Sequence, residues 1–211
     1  MEVFLFDSGT LALGGVEVPV PFFLLRHPQG DVIVDGGNPL AVARDPRAHW
    51  GSLADIFVVH MSEEQHCAAQ LRRLGVDPES VTHVVQTHLH IDHTGALGHF
   101  PNATVVVHER ELDLFGDGTI RLIESPGHSA GHMSVLLSLE QTGPMLLTAD
   151  ASDNREQWDG RAHPRSLHSR EHANRSMQML RELAEQSGAL VVFGHDPENW
   201  AGLAHPPESY R

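Results

Sequence analysis

The segment QTHLHIDHTG places three histidines and an aspartate within six residues: His88, His90, Asp92 and His93. In an extended chain, residues two apart point to the same side, so His88 and His90 can bind one metal ion. Asp92 and His93 begin the following turn, where they can face a second ion. Imidazole and carboxylate ligands together suit zinc, and also iron, cobalt or manganese. The spacing predicts half of a two-metal site, whose chemistry is the activation of water for hydrolysis.

The remaining ligands must come from elsewhere, since two ions need about six to eight protein ligands. Candidates follow later predicted strands: His128 in SPGHSAGH, Asp150 in LLTADAS and His195 in VVFGHD. An isolated His-x-His is commonly coincidental in a chain with 17 histidines, whereas His-x-His-x-Asp-His is far more specific. Other histidines lie in polar surroundings and are predicted at the surface: His163, His168 and His172.

These residues must be positioned by short strands and a few helices. A hairpin is predicted from Val18–Arg26 and Asp31–Asp35, and a helix from its N-cap Ser62 to Leu74. The first ligand motif follows the strand Thr82–Thr87. Further strands are predicted at ATVVVH, TIRLIES, MSVLLSL, PMLLTA and ALVVFG, with a long helix from Arg170 to Gln186. The pattern indicates an α/β fold in a single domain, residues 1–211, with the polar groups converging at one sheet edge.

Charge and composition exclude several classes of function. The net charge is −14, and every basic residue is a scattered arginine, which argues against a nucleic-acid surface. The lone Cys67 excludes a disulfide framework and a cysteine-rich zinc site. No apolar run has the length of a membrane span, and the acidic N-terminus differs from a signal peptide. We therefore expect a cytoplasmic protein without membrane association.

The order His88-x-His90-x-Asp92-His93, then His128, Asp150 and His195, resembles the metallo-β-lactamase superfamily. More narrowly, THLHIDHTG, SPGHSAGH, LLTADAS, VVFGHD and the preceding MSEEQ resemble the N-acyl homoserine lactonases, which quench bacterial quorum sensing. The likeness covers nearly the whole chain. It implies an αββα four-layer sandwich with a dinuclear metal centre, a small lactone substrate and a monomer or homodimer.

The resemblance also implies a role for each ligand. His88, His90 and His128 would bind one divalent ion, zinc by preference, and Asp92, His93 and His195 the other. Asp150 would bridge both, together with a hydroxide that attacks the lactone carbonyl. Asp92 would also relay a proton to the leaving alkoxide. Thr87 and Thr148 either orient ligands or serve ordinary strand packing.

Two features depart from the lactonase pattern. Asp153 stands where the family commonly carries a tyrosine that helps to stabilise the oxyanion. A helical insert of the family is missing between about Glu111 and Leu112, so acyl-chain preference does not carry over. A more open site should admit bulkier substrates.

Other functions compete with the lactonase hypothesis. One is a promiscuous lactonase, esterase or organophosphate hydrolase of the same fold, and another is a metal-binding domain without activity. Several apolar residues would line an acyl groove or, more commonly, form the core: Phe22, Phe23, Trp50, Phe57 and Ile91.

Overall fold

The computed structural model describes residues 1–13, 15–107, 112–163 and 168–211. Packing divides the chain into two compact units. The N-terminal unit comprises Val3–Val106 and Ala204–Ser209. The C-terminal unit comprises Met1–Glu2, Val107–Leu203 and Tyr210–Arg211.

The N-terminal unit is built on a mixed sheet. Its strands within the described residues are β1 (Glu2–Leu13), β2 (Val16–His27), β3 (Gly30–Val34), β4 (Val58–His60), β5 (Val81–Gln86) and β6 (Thr104–Val107). They lie in the order β4-β1-β2-β3-β5-β6. The predicted hairpin is confirmed, because β2 pairs antiparallel with β3. β3 pairs parallel with β5, and the apolar residues Val32–Val34 and Val84–Val85 of the pair are buried.

The helices of this unit are short: α1 (Leu40–Arg44), α2 (Pro46–Trp50) and α3 (Cys67–Arg73). The single helix predicted from Ser62 is wrong in one respect. A 3-10 turn at Glu63–Gln65 is separated from α3 by His66, whose backbone is extended (ψ 140°). The His66 imidazole is buried, and its Nε2 lies 3.0 Å from the Gly95 carbonyl oxygen. This tertiary contact outweighs the local helix preference.

The C-terminal unit has a second sheet. Its described strands are β7 (Leu112–Asp113), β8 (Ile120–Glu124), β9 (Met133–Leu139), β10 (Gly143–Leu147) and β11 (Leu190–Val192), in the order β11-β10-β9-β8-β7. Its helices are α4 (Arg155–Trp158), α5 (Arg170–Ser187) and α6 (Pro197–Ala201). The predicted long helix corresponds to α5, which buries Met177, Leu180 and Ala184 and ends at Gly188 in the left-handed conformation.

Strand direction brings three strand ends of this unit to one edge. β8 and β10 both run antiparallel to β9, whereas β10 and β11 run parallel. The carboxyl ends of β8, β10 and β11 therefore share an edge, where the chain continues into the loops of the predicted ligands. Among the described residues, no helix combines the length and apolar character that crossing a membrane requires.

Candidate metal centre

The first ligand motif forms a compact cluster at the carboxyl end of β5. The rings of His88 and His90 lie 4.6 Å apart between centroids, and those of His88 and His93 lie 4.1 Å apart. Leu89, between His88 and His90 in sequence, is 60% exposed. The His88 and His90 rings therefore lie side by side, as expected of residues two apart in an extended chain. Asp92 completes the group, with its Oδ2 3.9 Å from the Nε2 of His93.

A buried aspartate at the end of β3 orients these imidazoles. Asp35 Oδ2 accepts hydrogen bonds from His93 Nδ1 (2.8 Å) and from the Thr87 hydroxyl (2.8 Å), and its Oδ1 accepts from the Thr87 backbone N–H (2.8 Å). A carboxylate accepts hydrogen bonds, so Nδ1 of His93 carries the proton and Nε2 keeps its lone pair. The Thr87 oxygen lies 3.1 Å from His88 Nδ1, which can donate to it and leave the Nε2 of His88 for a metal as well.

The ligand loop also packs closely on the segment that follows Asp35. Gly95 donates its N–H to the Gly37 carbonyl (2.9 Å). A Cβ at Gly95 would lie 2.5 Å from the carbonyl oxygens of Gly36 and Asn38, so only glycine fits here. Gln86, fully buried, donates from Nε2 to the His93 carbonyl (2.9 Å). The backbone of the ligand loop is therefore held from both sides.

The C-terminal unit brings together the other three predicted ligands. His128, Asp150 and His195 follow β8, β10 and β11, and all three are buried. Asp150 Oδ2 lies 3.3 Å from His128 Nε2, and Asp150 Oδ1 lies 3.3 Å from His195 Nε2. One carboxylate thus presents its two oxygens to two different imidazoles. This is the arrangement expected of a carboxylate that bridges two ions.

A chain of buried hydroxyl groups ties the loops of His128 and Asp150 together. The Ser125 hydroxyl lies 2.8 Å from His132 Nδ1 and 2.9 Å from the Ser134 hydroxyl. Ser134 in turn donates to the Thr148 carbonyl (3.0 Å). Ser125 precedes His128 by three residues and Thr148 precedes Asp150 by two. The chain therefore fixes the spacing of two ligands.

Backbone strain is concentrated beside the ligands. Among the described residues, Asp35 (φ 58°) and Ala149 (φ 46°) are the non-glycine residues with positive φ. Asp35 bonds to His93, and Ala149 directly precedes Asp150. Such conformations cost on the order of 1 kcal/mol each and persist where the surroundings enforce them. Their location marks these loops as the functional part of each unit.

Asp153, the departure from the lactonase pattern, lies in the loop after Asp150. Burial raises the pKa of its carboxyl above the ordinary value, and the neighbouring Asp150 carboxylate raises it further, while His195 and Gln157 oppose the rise. Gln157 Nε2 donates to Asp153 Oδ2 (2.7 Å).

The donor chemistry of both groups fits divalent ions of the borderline class. Each group consists of imidazole nitrogens and carboxylate oxygens without a thiolate. In the N-terminal group, His93 and His88 donate hydrogen bonds from Nδ1, and the resulting tautomers present Nε2 as the ligand atom for a metal. In the C-terminal group, the imidazole nitrogens converge on one carboxylate.

The remaining sequence-based candidates are placed as follows. The Thr148 hydroxyl lies 3.0 Å from the Ser152 carbonyl, to which it donates, and 3.2 Å from the carbonyls of Ala149 and Val192, so it holds the loop rather than a ligand side chain. Of the apolar candidates, Phe22, Phe23 and Trp50 are buried in the core, whereas Phe57 and Ile91 are half-buried. The three histidines predicted at the surface are exposed: His163, His168 and His172. The segment 108–111, which bears on the missing insert, lies outside the described residues.

Asp35 and Gln86 are the functional residues that sequence reasoning missed. A signal for Asp35 was present, because a charged residue ends the apolar strand DVIVD directly before two glycines. A charged residue at the end of a buried strand either faces solvent or belongs to a functional site.

A family model described as the metallo-beta-lactamase superfamily matches residues 15–111. The curated relatives include the N-acyl homoserine lactonase AttM of Azorhizobium caulinodans, 43% identical over 92% of this chain and 88% of the relative. An N-acyl homoserine lactonase of Bacillus cereus is 29% identical over 95% of this chain and 91% of its own length. The alignment with AttM extends over 231 positions, more than the 211 residues of this chain, so AttM carries segments that this chain lacks.

Solved structures support the same fold. A structure of N-acyl homoserine lactone hydrolase, with the product N-hexanoyl-L-homoserine bound at its catalytic metal center, superposes with a TM-score of 0.89 at 24% identity. The superposition covers 100% of this chain and 98% of that one. The α/β fold of metallo-β-lactamase type, expected from the motif order, is confirmed. The chain belongs to the metallo-β-lactamase superfamily and, within it, to the family of N-acyl homoserine lactonases.

Proposed function

We propose that this protein is a metal-dependent hydrolase that opens the lactone ring of N-acyl homoserine lactones and so quenches quorum sensing. The observation that carries the proposal is the likeness to N-acyl homoserine lactonases along nearly the whole chain, with every predicted ligand present. The bridging arrangement at Asp150 supports it from the chemistry of the site.

In this proposal the two ligand groups bind one pair of ions. His88, His90 and His128 would hold one ion, Asp92, His93 and His195 would hold the other, and Asp150 would serve both. Neither group alone offers enough ligands for two ions, which need about six to eight. Zinc is the metal we propose, because imidazole and carboxylate ligands without thiolate are common at catalytic zinc sites.

When bound, the two ions lower the pKa of a water molecule and polarise the ester carbonyl. The chain's own residues supply orientation and proton transfer. Asp35 holds His93 in the tautomer that leaves Nε2 as a ligand atom. The Asp92 side chain, 14% exposed, keeps contact with solvent and is placed to deliver a proton to the alkoxide that leaves when the ring opens.

The acyl chain requires an apolar surface beside the ligand loop. Ile91, within that loop, packs against the cluster that contains Trp50, and Phe57 packs against the same cluster. Leu89, in the same loop, is exposed. We propose that the half-buried Ile91 and Phe57 contact the acyl chain, so that KM falls as the chain lengthens from butanoyl to decanoyl.

A proton-release assay tests the proposed function. N-Butanoyl, N-hexanoyl and N-decanoyl homoserine lactones are supplied to the zinc-loaded protein, to the chelated protein and to the chelated protein with zinc restored. We expect release of one proton per ring opened, lost on chelation and recovered with zinc. No turnover of any lactone by a protein that carries two ions per chain would overturn the proposal.

A matched pair of variants controls the assay. His128→Ala removes a proposed ligand and should lose metal and activity together. His172→Ala removes an exposed histidine of the same unit and should lose neither. A His128→Ala protein that kept both ions and its activity would show that the ligand set is wrong. The cytoplasmic location stays a prediction.

A further inference from the structure

A reciprocal pair of hydrogen bonds joins Asp153 and Gln157 in the loop that follows Asp150. The Asp153 backbone N–H donates to Gln157 Oε1 (2.7 Å), and Gln157 Nε2 donates back to Asp153 Oδ2 (2.7 Å). Gln157 is 5% exposed. Two bonds in opposite directions leave Asp153 little freedom to rotate.

Gln157 is itself fixed in place. It lies in α4, where its backbone N–H is capped by the Asn154 side chain (3.0 Å). Its carbonyl accepts a hydrogen bond from Arg181 Nη2 (3.1 Å), a residue of α5. The pair therefore connects the loop of Asp153 to α4 and α5.

The same loop holds the backbone of a proposed ligand. His195 donates its N–H to the Asp153 carbonyl (2.7 Å), and the preceding Gly194 donates to the Ser152 carbonyl (3.1 Å). The Arg155 N–H also bonds to Asp196 Oδ2 (2.8 Å). The backbone position of residues 152–155 thus sets the position of His195.

The Asp153 carboxylate is buried and bonded to Gln157. Its Oδ2 accepts from Gln157 Nε2, and its Oδ1 has no hydrogen-bond partner in the described part of the chain. A carboxylate only accepts hydrogen bonds, whereas a tyrosine hydroxyl can donate one to an oxyanion. Asp153 therefore does not take over the oxyanion contact attributed to the tyrosine at this position in the resembling enzymes.

We propose that Asp153 is a positioning residue, which together with Gln157 holds His195 in place for the ion that His195 binds, and that Asp153 makes no contact with substrate. The inference rests on the proposed function, because it requires the metal centre. It predicts that this loop controls how long one ion of the pair stays bound.

The test compares the buried glutamine of this pair with an exposed glutamine of α5. Gln157 is buried and bonds to Asp153, four residues before it. Gln178 is exposed and bonds to Glu182, four residues after it (2.9 Å). Gln157→Met and Gln178→Met remove each amide with little change in length. Release of zinc from the loaded proteins to a chromophoric chelator is followed over time, with thermal unfolding and KM and kcat for N-hexanoyl homoserine lactone.

We expect Gln157→Met to release one ion per chain about 10 to 100 times faster than the unchanged protein, with the second ion released at the unchanged rate. Gln178→Met should match the unchanged protein. Asp153→Asn keeps an oxygen that accepts from Gln157, so it should release both ions at the rate of the unchanged protein. If Gln157→Met does not fold, Gln157→Glu, which keeps the bond to the Asp153 N–H, carries the same comparison.

Two results would overturn the inference. Release of both ions from Gln157→Met at the unchanged rate would separate the pair from metal retention. A large loss of kcat in Asp153→Asn with both ions retained would show that Asp153 acts on the substrate. An unchanged protein that binds fewer than two ions would instead count against the proposed function itself.

Discussion

Asp35→Asn is the most informative single substitution in the N-terminal unit. Asparagine tolerates the positive φ of this position (58°), so the backbone is retained. The carboxylate accepts three hydrogen bonds of 2.8 Å, from the Thr87 backbone N–H, the Thr87 hydroxyl and His93 Nδ1. An amide has one oxygen for these three donors. When that oxygen faces Thr87, the NH2 group faces His93 and requires a lone pair on Nδ1.

The tautomer of His93 therefore changes, and the proton moves to the Nε2 atom that would bind the ion. Loss of such a supporting carboxylate typically costs 10- to 100-fold in metal affinity, about 1.4–2.7 kcal/mol. We expect this loss for one of the two ions, with a smaller effect on the other. The metal-free protein should lose about 1–3 kcal/mol of unfolding free energy, since a buried donor loses its acceptor.

The assay is competition for zinc between the protein and a chelator of known affinity, with urea unfolding of the metal-free protein alongside. Asp7→Asn is the matched control, because Asp7 accepts from the Gly9 backbone N–H and from Gln65, and from no histidine in the described part of the chain. Asp7→Asn should bind both ions with unchanged affinity. An Asp35→Asn protein whose two zinc affinities equal those of the unchanged protein would refute the reasoning.

Three further predictions concern stability and proton transfer. Burial lowers the pKa of His66 from 6.5 to about 4, so the unfolded chain takes up the proton first and stability falls as the pH drops from about 6.5 to about 4. The fall in unfolding free energy is at most about 3 kcal/mol, and about 1–2 kcal/mol after solvent screening. His66→Gln should remove it, which urea unfolding of the metal-free protein across this pH range measures. Gly127→Ala would place a Cβ 2.3 Å from the Ala173 backbone and should lower the unfolding free energy by about 3 kcal/mol or more. Gly143→Ala, with open space around it, should lower it by only about 1 kcal/mol. Thermal unfolding measures both losses, and equal losses would contradict the packing argument. Asp92→Asn should lower kcat for a homoserine lactone by about 100-fold or more, but less for the homocysteine thiolactone, whose thiolate leaves without a proton; equal losses would exclude Asp92 as the proton relay.

Much of the strand framework was predictable because apolar runs bounded by turn residues are local signals. β2, β3, β5, β6 and β8 to β11 were placed within a few residues, whereas the short β4 and β7 were not predicted. β1 (Glu2–Leu13) was not predicted, since its acidic and glycine residues interrupt the apolar pattern. The break at His66 was also missed, because it depends on a contact with Gly95 that only the folded chain creates. The single-domain organisation stays a prediction.

The ligand set was readable from residue order, whereas its supporting contacts were not. His-x-His-x-Asp-His is a dense motif, and His128, Asp150 and His195 each follow a recognisable strand. Asp35 lies 58 residues before its partner His93, and nothing in the local sequence joins the two. The pairing of Asp153 with Gln157 is close in sequence, but its link to His195 arises only when β10 and β11 lie side by side.

The central claim is that the seven proposed ligands bind one pair of ions. Crystals of the zinc-loaded protein, measured at the zinc absorption edge, test it most directly through anomalous difference density. The account predicts two peaks per chain, one contacted by His88, His90 and His128, the other by Asp92, His93 and His195, with Asp150 contacting both. A single peak, or peaks that lack these contacts, would contradict it.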